Sequence, residues 1–125
     1  MSMAAIKYVG DMMKSLALPY AFMRWIKKVR PDVYFVGEYN EIPSTNADEN
    51  GRRDVSIILR GYTRKDWELL EEAKAKIERS CAKTVILSDG TGLAVFYDSA
   101  MPVPTGEAEL KSIKINLTIQ VWRVK

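Results

Sequence analysis

Cys81 is the one thiol in the chain, and a reactive thiol needs a base or a positive environment to become a thiolate. The 125 residues contain no histidine, and Arg79 and Lys83 are only sequence neighbours. Cys81 also falls on the apolar stripe of a predicted helix, where cysteine behaves as a small hydrophobe. We therefore expect it to be buried and structural. The string Asp89-Gly90-Thr91-Gly92 has the glycines of a phosphate-cradling loop but lacks the lysine and the following helix that such a loop requires. A hairpin turn is the expected reading. The carboxylates Glu38, Glu41, Asp48, Glu49 and Asp54 follow no cation-loop spacing, and Pro43, Asn46 and Asn50 among them mark a solvated loop. No catalytic, metal-binding or cofactor-binding residue is assigned, and the chain is not expected to be an enzyme.

Contact chemistry is better represented. Arg24, Lys27, Lys28 and Arg30 lie close together, with Tyr20, Phe22 and Trp25 interleaved among them. Arg52 and Arg53 would join them if the intervening strands pair. Such a mixture can hold a nucleic-acid backbone and stack bases. Nineteen basic against sixteen acidic residues leave a net charge of only +3, so a charged surface turn with its aromatics in the core is favoured over a nucleic-acid site. A second apolar string, Ala100-Met101-Pro102-Val103-Pro104, sits where a polar surface loop would be expected. Either it packs on a neighbouring molecule, with Met101, Pro102 and Val103 at the contact, or it folds back over its own sheet.

These residues need a scaffold. Ile6, Val9, Met13, Leu16 and Ala17 recur at helical spacing, and Pro19 ends that helix. Residues 20–25 could extend the helix or form a short strand, and their aromatic content favours the strand. Residues 33–39 form a strand, residues 40–53 a long polar loop, and residues 54–62 a strand with Val55, Ile57 and Leu59 on one face. A second helix is predicted to start at a Thr63 cap, with Trp67, Leu70, Ala73, Ile77 and Cys81 inward. Residues 84–87 and 93–97 form a hairpin, and residues 98–107 a second loop. Last, Ile113, Ile115, Leu117, Ile119 and Val121 alternate with polar residues along one long strand.

This order predicts one α+β domain over residues 1–125: helix, strands, helix, strands. Short connections favour a largely antiparallel sheet with two helices packed on one face. With 47% apolar and 28% charged residues the chain can bury one core. The longest uncharged stretch, residues 15–23, has nine residues, too few for a bilayer. The N-terminus has no cleavable signal pattern, which fits a soluble intracellular protein.

Several strings together cover nearly the whole chain: Leu18-Pro19-Tyr20-Ala21-Phe22-Met23-Arg24-Trp25, Tyr34-Phe35-Val36-Gly37-Glu38-Tyr39, Ile58-Leu59-Arg60-Gly61-Tyr62-Thr63, Gly92-Leu93-Ala94-Val95-Phe96-Tyr97, and Ile115-Asn116-Leu117-Thr118-Ile119-Gln120-Val121-Trp122-Arg123. In these strings and in its element order the chain resembles the tail-terminator and head–tail joining proteins of long-tailed bacteriophages, of the Gram-positive prophage type. The resemblance implies an α+β subunit that forms a ring, typically hexameric, on the end of the tail tube. Such a ring stops tube polymerisation and offers a surface to the head connector. DNA passes through its lumen without sequence-specific binding. The implied location is the virion, after assembly in the host cytoplasm, with no membrane contact. No catalytic residue carries over. The alternative is a small nucleic-acid-binding module that uses the basic and aromatic region 20–30.

Overall fold

In the computed structural model, residues 2–26, 28–41 and 52–123 are described. The elements run α1 (Met3–Ser15), β1 (Tyr20–Phe22), β2 (Val33–Glu41), β3 (Arg53–Thr63), α2 (Trp67–Ser80), β4 (Lys83–Ile86), β5 (Thr91–Val103) and β6 (Lys111–Arg123). The fold is α+β, with the six strands in one sheet of order β1-β2-β3-β6-β5-β4.

Alternation in the sequence builds the core directly. Val55, Ile57 and Leu59 of β3 and Ile115, Leu117 and Ile119 of β6 are fully buried. They join Val9 and Met13 of α1, and Leu70 and Ile77 of α2, in one cluster. At about 1.5–3 kcal/mol per buried aliphatic side chain, this cluster is the main source of stability. α1 begins at Ser2, whose hydroxyl accepts the Ala5 N–H at 3.2 Å.

Four expectations are corrected. First, β1 pairs with β2 in parallel, because the chain returns through residues 23–32 before entering β2; the remaining pairs are antiparallel. Second, α1 ends before Pro19. Leu18 N–H bonds to the Met13 carbonyl and Ala17 N–H to that of Lys14, each at 3.0 Å, and Ala17 takes φ 58°. That is a Schellman stop with alanine in the left-handed position. The inward face of α1 is Ala5, Val9, Met12 and Met13, while Ile6 is only half-buried and Ala17 is exposed.

Third, Thr63 belongs to β3, not to a helix cap. Its hydroxyl accepts the Lys65 N–H at 3.1 Å, and α2 starts at Trp67 with Asp66 as its N-cap. Trp67 overhangs the sheet and is 44% exposed. Fourth, the apolar string at residue 100 is neither a surface loop nor a flap. It is the second half of β5, set off by a bulge between Tyr97 and Ser99. The polar loop expected at residues 40–53 lies largely outside the described residues.

Candidate functional site

The two lateral edges of the sheet hold most of the candidate residues. On one edge, β1 leads into residues 23–30. Met23 has φ 73°, a conformation that costs a side-chain-bearing residue energy. Met23, Ile26 and Val29 are 59%, 75% and 80% exposed. Arg24, Lys28 and Arg30 are exposed around them, and none of the three makes an ion pair among the described residues. Lys27 lies outside the described residues.

The aromatic residues of this region are engaged within the protein. The Trp25 ring lies 5.0 Å from Tyr34, which stacks on Tyr62 at 5.3 Å. Tyr20 covers Gly37 on the opposite face of the sheet, where burial pushes its phenol up to about 12. The Trp25–Tyr34–Tyr62 stack fastens the start of the 23–32 connection to the sheet.

Arg52 and Arg53 do not join this patch. The β1 rungs meet β3 at Leu59 to Gly61, so the start of β3 is six residues away, about 20 Å along the strand. Arg52 pairs with Asp54 at 3.5 Å and Arg53 with Glu41 at 3.8 Å. Arg53 also borders a shallow depression with Ser2, Thr91 and Trp122.

On the opposite edge, Ala100, Met101 and Pro102 of β5 form a groove of about 280 Å³ with Ile113 and with Trp67, Glu71 and Lys74 of α2. Lys74 donates to Glu71 at 2.8 Å. Val103, the last residue of β5, is half-buried and pairs with Ser112 outside the groove. Met101 and Pro102 thus do converge on a concave apolar surface. Trp67, which helical periodicity places inward, lines the groove instead.

On the sheet face opposite the buried cluster, polar side chains pair with one another. Arg60 donates to Glu38 at 2.8 Å, Asn116 to Ser99 at 2.9 Å, and the Thr118 hydroxyl to Asp98. Phe96, 42% exposed, stands among these groups. Cys81 is buried at the end of α2, where burial and then the charge of Glu78 push its thiol up to about 11. Among the described residues no group of three or more His, Cys, Asp or Glu is placed to hold a metal ion. No helix among them is long and apolar enough to cross a membrane.

No family model matches the chain, and no curated protein matches its sequence.

Proposed function

We propose that this protein is a virion assembly subunit that caps a phage tail tube as a ring, ends tube growth and gives the head connector its seat. One observation carries the reading. Five of the eight large apolar side chains exposed among the described residues lie on the two surfaces just described: Met23, Ile26 and Val29 beyond β1, and Trp67 and Met101 at the groove between β5 and α2. Two different apolar surfaces on opposite sides of one subunit suit heterologous, head-to-tail contacts, which close into rings. The helices back one face of the sheet in this reading, and the other face is left for the tube or the connector.

In this reading the partners are further copies of the chain, in a sixfold ring on the tube, together with the tube protein and the neck proteins. DNA crosses the lumen without being read. The deciding experiment is electron microscopy of purified tail tubes mixed with the protein. Density at one end of each tube, and tubes of uncontrolled length when the protein is omitted during assembly, are the expected results. Tubes that stay bare at both ends would overturn the reading.

A second reading is favoured by the exposed Arg24, Lys28 and Arg30, which make no ion pair among the described residues. A nucleic-acid-binding module would bind DNA or RNA with affinity that falls steeply as salt rises. Lys27→Glu combined with Lys28→Glu would abolish that binding.

A further inference from the structure

The rungs of the sheet can be followed from edge to edge. Phe22 is level with Gly37, Leu59, Ile115 and Ala100, and Tyr20 is level with Phe35, Gly61, Ile113 and Pro102. At this height the sheet ends in β1 on one side and in β5 on the other. β4 covers β5 only from Gly92 to Val95, so among the described residues no strand pairs with the outer edge of β5 beyond that point. One edge carries an added short strand at the level where the other edge has a vacancy for one.

Strand direction agrees. β1 is parallel to β2, and three antiparallel steps through β3 and β6 make β5 antiparallel to both. A second copy set beside the first in the same orientation therefore offers β1 antiparallel to β5.

The backbone groups also match. Ala82 N–H bonds to the Val95 carbonyl and Leu87 N–H to that of Thr91, so these carbonyls point outward. Strand alternation, carried past the bulge, turns Ala100 and Pro102 outward too. This puts the missing N–H of Pro102 on the solvent side, where an edge tolerates it. In β1, the Pro19 carbonyl and the Met23 N–H bond to β2, which leaves Tyr20 and Phe22 facing out. With no stagger, Phe22 meets Ala100 and Tyr20 meets Pro102. The Phe22 N–H can donate to the Ala100 carbonyl and the Tyr20 N–H to the Pro102 carbonyl; the Phe22 carbonyl, which already accepts the Arg24 N–H at 2.9 Å within its own chain, has its second lone pair for the Ala100 N–H.

Charge complements the pairing. The chain leaves β1 through Arg24, Lys28 and Arg30. Glu71 and Glu78 of α2 lie along the open half of β5, close enough that, after burial, their charges help to raise the Tyr97 phenol, with Lys74 between them opposing.

We infer that β1 of one copy adds to the open half of β5 of the next, with Phe22 entering the groove beside Trp67, so that the sheet continues from subunit to subunit. The pairing stands on the sheet geometry, and its closure into a ring rests on the assembly reading above.

Cross-linking tests it. In a Cys81→Ala background, Ala21→Cys and Met101→Cys place thiols on the level between the two matched pairs. Within one chain they are four strand intervals apart, about 19 Å, far beyond disulfide reach. Mixing the two single variants under oxidising conditions should join one chain of each kind, and the double variant should give a ladder that ends in one closed size. Like-with-like dimers alone, no disulfide, or capture of a different protein by Met101→Cys would overturn the inference. The reactions are run on the protein alone and on protein bound to tail tubes. The expected link without tube attachment sinks only the tail reading, and tube attachment without the link sinks only the pairing. Should either cysteine variant misfold, Arg24→Glu in the otherwise native chain should weaken self-association about tenfold and Glu78→Lys should restore it. Self-association unchanged by Arg24→Glu would count against the pairing.

Discussion

The ring of Phe35 lies across Gly61, its register partner on the neighbouring strand, so closely that a Cβ at Gly61 would stand 2.5 Å from the ring edge. Phe35 is fully buried. Gly61→Ala should therefore destabilise the protein by about 1–3 kcal/mol through overpacking. Chemical denaturation monitored by tryptophan fluorescence would measure it. An unchanged midpoint would show that the ring can shift.

Glycine and alanine stand in exchanged places on α1. Gly10 is inside the helix with open space where a Cβ would go, and Ala17 holds the left-handed position that follows the helix. Gly10→Ala should stabilise by about 0.5–1 kcal/mol through helix propensity. Ala17→Gly should also stabilise, by up to about 1 kcal/mol, because it relieves the positive φ. The melting temperature should rise for each, and for the pair by nearly the sum, since the sites share no partner.

Cys81 should resist thiol reagents in the folded protein. Raising its thiol from the ordinary 9.0 to about 11 lowers the thiolate fraction about a hundredfold near neutral pH, before its burial is counted. Labelling should become fast only on unfolding. The thiol is neutral in both states below pH 9, so its contribution to stability is constant there. Between pH 9 and about 11 the unfolded chain ionises first, and the folded state should lose stability over that window. Denaturation midpoints at pH 8 and pH 10.5, compared between the protein and Cys81→Ala, would isolate the effect.

The legible parts of this fold are those whose pattern is local. Ile113 to Val121 announce β6 by strict alternation, and Leu70, Ala73, Ile77 and Cys81 announce the buried side of α2. The inward face of α1 was harder to read because Ala5, fully buried, carries no hydrophobic signal of its own. The second half of β5 is hidden in the sequence because its bulge breaks the alternation and Pro102 imitates a loop, although at an edge proline is permitted. Partners distant in sequence could not be read at all. Whether Arg24 and Arg53 share a patch depends on strand register, and the register keeps them apart.

The bulge at Asp98 has one more consequence. Together with Pro102 it leaves the outer rim of β5 kinked and short of one donor, so a long, flat foreign segment finds no continuous template there. Deleting Asp98 and replacing Pro102 by threonine would straighten that rim and complete its donors. The rim would then accept almost any extended chain, and the expected product of such a change is insoluble aggregate.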